Sequence, residues 1–315
     1  MEIPQFNTKK ELYDFLVTNK DMIISQRKAQ IKYADAIICP VELVESSIHV
    51  DKAKPEDMEM PNPDEMMVKA IINTTNLLDS HMDVHLPGIW NKSLKENRNI
   101  MHMQEHGNKF TDVIAMGEDL KASTKTYDWQ KLGFDFEGKT EALVFDSKVK
   151  KDRNAMMFDQ YKKGYVNNHS VGMQYVKIEM AINDKDYKEE FAAWNKYYPE
   201  IANKEVADER GLFFAVKEAK VIEGSAVLRG SNYATPTLSV KTSEVKCSNC
   251  NTEFDYNSIS ESGMGYVKCP NCSTNINQEG KVQPGKPTEK KIEPEVISTQ
   301  KVIDYEFLIK NLKSK

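Results

Sequence analysis

No apolar run in the 315 residues approaches the ~20 needed to cross a bilayer, so the sequence predicts no membrane span. Positive charge is not in excess either: 43 Lys and Arg face 48 Asp and Glu, a formal net charge of −5. That balance argues against a general phosphate-binding surface, and nucleic acid is not an expected partner. Met1-Glu2-Ile3-Pro4-Gln5 lacks a basic start and an apolar core, so no signal peptide is expected. Cysteine is scarce, at five: one lone Cys39 and two tight pairs. A disulfide frame is thereby excluded, and metal binding in a reducing compartment is favoured. What remains, 40 % hydrophobic and 29 % charged, describes an ordinary soluble protein with room for one sizeable core plus appendages.

The chain divides by composition. Residues 1–35 read as a helical arm, with Leu12, Phe15, Leu16, Met22, Ile23 and Ile24 forming an apolar stripe from residue 8 to about 34. Residues 36–240 read as one β-rich domain. It opens with a strand at 41–50 and a proline-bearing loop at 51–66. Further strands are expected at 68–76, 113–122, 132–136, 142–149, 166–179, 212–216 and 219–228, with a short helix at 91–96. A helix from 153 to 163 is expected to be capped by Asp152 and closed by Gly164. Residues 184–208 carry Tyr187, Phe191, Trp194, Tyr198 and Ile201 at helical spacing and predict an inserted helical hairpin broken at Pro199, its aromatics a packing face.

Residues 241–275 form a different unit. Cys247-x-x-Cys250 and Cys269-x-x-Cys272 are separated by 18 residues, the spacing of a four-thiolate zinc ribbon. The expected cofactor is one structural Zn²⁺ held by Cys247, Cys250, Cys269 and Cys272. Glu244, Glu253, Asp255 and Glu261 stand against only Lys246 and Lys268, so a structural or protein-docking ribbon is expected rather than one gripping nucleic acid. Residues 276–315 read as a proline- and lysine-bearing linker followed by a short amphipathic helix at 298–312.

Chemistry centres on Asn167-Asn168-His169-Ser170-Val171-Gly172-Met173, which opens the 166–179 strand. Side chains alternate along a strand, so Ser170 shares a face with Gly172 while His169 points away with Val171 and Met173. A nucleophilic serine needs a base, and the candidates are His49, His81, His85, His102, His106 and His169. His169 is disfavoured by its face. His102-Met103-Gln104-Glu105-His106 also matches the inverted zinc-protease pattern, but Gly107-Asn108 stops the helix that such a site needs. Glu223, in the β-prone run Ala219 to Val227, is the carboxylate that stands out as an orienting partner for a histidine.

Four blocks in order resemble one family. Asp79-Ser80-His81-Met82-Asp83-Val84 with Pro87-Gly88 resembles its D-S-x-x-D-x-x-x-P-G turn, and His106 with Val113-Ile114 and Gly117 its catalytic-histidine block. Ser170-Val171-Gly172-Met173 resembles its S-[IV]-G-[FM] nucleophile strand, and Glu223-Gly224-Ser225-Ala226-Val227 its E-x-S-x-V strand. The family is the prohead maturation proteases of tailed bacteriophages, similar in fold to herpesvirus assembly proteases, and the resemblance covers residues 65–240. It implies an α+β fold with a mostly antiparallel β-barrel wrapped by helices. Carried over by position, Ser170 is the nucleophile, His106 the general base and Glu223 the group that orients it. The chain departs from the family's P-A-N after the last strand, carrying Arg229-Gly230-Ser231-Asn232, and adds the 184–208 insertion and the ribbon. The oxyanion donors stay open, with backbone amides near Val171 and Gly172 as candidates.

The resemblance implies a serine endopeptidase that cleaves scaffold and capsid-protein segments inside the assembling prohead in the host cytoplasm, with self-cleavage left open. Phage capsid and scaffold proteins are the expected partners, and a homodimer is admitted. The alternative is a non-enzymatic capsid assembly or scaffold-binding protein of the same fold.

Overall fold

A computed structural model describes residues 6–32, 64–97, 99–242, 244–256, 261–263, 266–277 and 279–283. The strand expected at 41–50, Cys39 and the helix expected at 298–312 lie outside them, as does most of the linker. The arm is two helices rather than one, α1 (Lys9–Thr18) and α2 (Lys20–Ala29). The Thr8 side chain caps α1 by accepting the Glu11 N–H. Asn19 ends it, because its side-chain amide and its backbone N–H both donate to the Phe15 carbonyl.

The body comprises β1 (Ile31–Lys32), β2 (Glu65–Thr74), β3 (Asp83–His85), α3 (Asn91–Glu96), β4 (Met101–Gln104), β5 (Val113–Met116), β6 (Leu120–Asp128) and β7 (Lys139–Lys150). It continues through α4 (Ala155–Lys162), β8 (Asn168–Ile182), α5 (Lys188–Tyr197), α6 (Lys204–Arg210), β9 (Leu212–Val227) and β10 (Thr237–Thr242). One sheet runs β1-β8-β9-β4-β5, with β3 also on β9; the other runs β10-β2-β7-β6. Pairing is antiparallel except where β3 and β4 run parallel to β9.

The two sheets face each other across one core. Val68, Ala70 and Ile72 of β2 and Leu143 and Phe145 of β7 meet Val171 and Met173 of β8 and Val221 and Ala226 of β9. The sheets pack closely at Gly224, where a Cβ would stand 2.6 Å from both Ile72 and Phe145. The class is thus α+β with mostly antiparallel sheets. The expected closed barrel is not formed among the described residues: β5 and β6 are edge strands of different sheets, joined through a 3-10 turn at Gly117–Asp119. Gly117 makes that corner at φ +60, and no ladder links the two strands.

Four local expectations change. The strand expected at 113–122 is broken by the 3-10 turn at Gly117–Asp119 into β5 and β6. Residues 132–136 are not a strand; Trp129, Phe134 and Phe136 pack edge-to-face and stacked on one another, with a 3-10 turn at Trp129–Leu132. The two strands expected at 212–216 and 219–228 are one, β9, whose ladder with β8 absorbs irregularities at Lys177 and continues. Helix α4 is capped by Asn154, whose side chain accepts the Met157 N–H, rather than by Asp152. The insertion is helical, α5 and α6 flanking a 3-10 turn that holds Pro199, and buries Trp194, Tyr197, Ile201 and Ala207 against Phe213 and Ala215 of β9. None of the described helices is long and apolar enough to cross a membrane.

The arm is fastened electrostatically. Arg27 of α2 donates to Asp83 Oδ1 at 2.5 Å and to the His81 carbonyl at 3.2 Å, with its guanidinium 3.7 Å from the centre of the Phe214 ring. Asp83 also accepts from Tyr175 Oη at 2.7 Å. Asp79 accepts the backbone N–H groups of His81 and Asp83, each at 2.9 Å. Burial, reinforced by the neighbouring Asp83 charge, pushes the Asp79 carboxyl up to about 8. The native protein therefore holds a proton there that the unfolded chain has released above about pH 4. Stability falls as pH rises toward 8, because unfolding releases that proton. Urea denaturation at pH 6 and pH 8.5 checks this: the difference in stability between wild type and Asp79→Asn should change by roughly 2 kcal/mol, with the variant losing less. An equal pH response in both proteins contradicts the assignment.

Candidate active site

The register of β8 on β9 places Ser170 opposite Ser225 and Gly172 opposite Glu223. Directly opposed residues share a sheet face, so Ser170, Ser225 and Glu223 lie together on the face turned away from the core. Gly172 leaves the space that the Glu223 carboxyl occupies: a Cβ there would fall 2.0 Å from Glu223 Oε1. The glycine of Ser-Val-Gly-Met is required by this overlap.

His106 reaches the same face by a sharp reversal after β4. Glu105 and His106 both adopt left-handed backbone, φ +51 and +53, and the Gly107 N–H closes the turn on the Gln104 carbonyl at 2.8 Å. Gly107 is itself enclosed, since a Cβ would lie 2.3 Å from the Asp112 carboxylate. Asn154, the α4 cap, holds this loop through its amide nitrogen, which is 3.0 Å from both Gln104 Oε1 and the Thr111 carbonyl. The His106 Nδ1 stands 2.6 Å from Glu223 Oε1, with side-chain exposures of 10 % and 7 %. A carboxylate oxygen only accepts, so Nδ1 carries the proton and Nε2 is the basic nitrogen.

The three residues singled out in the sequence are therefore brought to one place, Ser170 diagonally across the ladder from Glu223 and His106 bonded to it. Ser170 is 5 % exposed. Of the two backbone amides considered as oxyanion donors, alternation favours one. Both His169 backbone groups bond Thr235 Oγ1 on the edge away from β9, so Val171 N–H points to that edge and Gly172 N–H toward β9.

His169 and His102 take no part. Both are fully buried on the core side, each with Nε2 3.0 Å from Tyr161 Oη. His169 Nδ1 donates to the Thr235 carbonyl at 2.9 Å, and His102 Nδ1 lies 2.8 Å from Ser147 Oγ. Burial lowers both, His169 to about 4, so both stay neutral. The inverted zinc-protease pattern is thereby overturned: His102 sits on a strand with its ring in the core, on the face opposite the Ser170 site. Two residues at this site were not singled out in the sequence, Ser225 and Asn154. Ser225 was legible as the residue two beyond Glu223, on the same strand face.

Beyond β10 the described residues form five short strands, β11 (Glu244–Lys246), β12 (Glu253–Asp255), β13 (Glu261–Gly263), β14 (Tyr266–Lys268) and β15 (Asn275–Ile276). Two matching turns carry the cysteines. Asn251 and Ser273 take φ +59 and +57, and their N–H groups donate to the Cys247 and Cys269 carbonyls. The sulfurs approach in pairs, Cys247 to Cys272 at 3.6 Å and Cys250 to Cys269 at 3.5 Å. All four lie within 4.8 Å of one another. Zn–S bonds of ~2.3 Å in a tetrahedron imply edges of ~3.8 Å, so this arrangement is compatible with a zinc site. Among the described residues a second cluster, Asp79, His81 and Asp83, has ligand atoms as close, but Arg27 already neutralises it.

No protein-family model, no curated protein and no solved structure matches this chain.

The clash at Gly172 is testable as a stability coupling. Gly172→Ala should cost about 1–3 kcal/mol, because the Glu223 carboxyl is pinned and has to give way. In a Glu223→Ala background most of that cost should vanish, measured by urea denaturation of the four proteins of the cycle. Equal costs in the two backgrounds contradict the packing described.

Proposed function

We propose that the chain is a serine endopeptidase, with Ser170 as nucleophile, His106 as general base and Glu223 as the carboxylate that orients it. The observation that carries this reading is the 2.6 Å contact between His106 Nδ1 and Glu223 Oε1 on the face of Ser170. Ser170 Oγ attacks the peptide carbonyl while His106 Nε2 takes its proton. The tetrahedral oxyanion is met by backbone amides, Val171 among them. His106 then gives its proton to the leaving amine, and water hydrolyses the acyl-enzyme by the same base. Glu223, accepting from Nδ1, fixes the tautomer and stabilises the imidazolium.

The resemblance to prohead proteases supplies the setting: a fold similar to herpesvirus assembly proteases, scaffold and capsid-protein segments as substrates, and action inside the immature phage head. A second reading, a non-enzymatic assembly protein of the same fold, draws on the near-complete burial of Ser170. Turnover of a capsid or scaffold protein by the purified chain separates the two. Ser170→Ala and His106→Ala should each fold normally and lose roughly 10⁴–10⁶-fold in turnover, with the double variant no worse. His102→Ala and His169→Ala, where folded, should keep substantial activity. Turnover retained in Ser170→Ala overturns the proposal.

The proposed ion is Zn²⁺ bound by Cys247, Cys250, Cys269 and Cys272. With four thiolates as ligands the ion would have no open position, so it would cross-link the two turns and supply no reaction chemistry. Cys269→Ser should lose about one zinc per chain by elemental analysis and unfold the ribbon. Hydrolysis of a short peptide should persist; its loss in a protein whose sheets remain folded contradicts the separation of ribbon from chemistry.

A further inference from the structure

The Ser225 side chain touches both the proposed base, His106, and its carboxylate partner, Glu223. It is fully buried, and its register partner on β8 is Ser170. Its Oγ donates to Glu223 Oε2 at 2.6 Å and accepts the backbone N–H of His106 at 3.1 Å. A hydroxyl has one proton to give, so the orientation is fixed: hydrogen to the carboxylate, lone pair to the His106 amide. Each bond answers a separate problem. Glu223 has two carboxyl oxygens, one of which is engaged by His106 Nδ1, and the second needs a donor if the carboxyl plane is not to rotate. His106 and Glu105 are consecutive non-glycine residues in left-handed backbone, a conformation that persists only when the surroundings hold it. The His106 N–H bond to Ser225 is a direct tether on that turn.

We propose that Ser225 is a positioning residue that sets Glu223 and His106 together, a fourth member of the site that itself contacts no substrate. The inference rests on the triad reading above. Removing the hydroxyl leaves the carboxyl with one fewer donor and the left-handed turn without its tether. The base then samples misaligned positions, which lowers the rate of chemistry more than substrate binding.

The test is steady-state hydrolysis of one peptide substrate across pH by wild type, Ser225→Ala, Ser225→Thr and Ser170→Ala, all as full-length chains. Ser225→Ala should lose about 10²-fold in kcat with KM within about twofold. Its acid limb in kcat/KM should move to higher pH, because a carboxylate with one fewer donor holds the imidazolium more strongly. Ser225→Thr, which keeps the hydroxyl, should recover at least tenfold of that loss. If Ser225→Ala does not fold, Ser225→Cys, near in size and a weaker donor, should show an intermediate fall in kcat with the same shift of the limb. With Ser170→Ala inactive, kcat within twofold of wild type and an unmoved profile in Ser225→Ala overturn this proposal alone. A fall in kcat with neither a profile shift nor rescue by threonine also overturns it, reducing Ser225 to a packing residue. Activity in Ser170→Ala instead overturns the triad reading beneath it.

Discussion

The register between β8 and β9 is the constraint on which the rest depends. A slip of one residue would turn Ser170 to the core and His169 to the outer face, since side chains alternate. Several features resist that slip. Gly172 alone leaves room for the Glu223 carboxyl, and Gly224 alone lets Ile72 and Phe145 approach from the facing sheet. His169 is bound on its core side to Tyr161 and the Thr235 carbonyl. Two glycines on adjacent positions of the ladder therefore act on opposite faces, one admitting the carboxylate and the other the core.

The polar groups buried behind the site form a continuous path. Arg27 binds Asp83, Asp83 binds Tyr175, and Tyr175 meets His85 at 3.3 Å. His85 Nδ1 donates to Asn73 Oδ1, which also accepts from Asn232 Nδ2, and the Asn232 carbonyl lies 3.3 Å from Thr235 Oγ1, whose proton goes to the His169 carbonyl beside Ser170. Interior polar groups left unpaired are costly, and here nearly every one has a partner. The helical arm, remote in sequence from Ser170, thus reaches its strand through a chain of buried polar contacts.

Much of the candidate site was legible because it is written locally. The spacing of Ser170 and Gly172, and of Glu223 and Ser225, is the period of a strand, and His106 precedes a glycine turn. The four cysteines carry their geometry in their spacing. The contacts that distance hides were not legible. Arg27 and Asp83 are joined only by tertiary packing, and no local pattern pairs them. Residues 132–136 alternate like a strand, yet aromatic packing around Trp129 outweighs that tendency. The closed barrel, implied by resemblance rather than by pattern, gives way to two packed sheets among the described residues, because the β5–β6 corner carries the chain between sheets without pairing.

The central claim is that His106 and Glu223 make Ser170 a reactive nucleophile despite its burial. Covalent labelling by a fluorophosphonate, located by peptide mass spectrometry, reads this without any knowledge of the natural substrate. The account predicts near-stoichiometric modification at Ser170, abolished in Ser170→Ala and strongly slowed in His106→Ala. An intact, folded protein that takes up no label, or labels equally fast without His106, would contradict it.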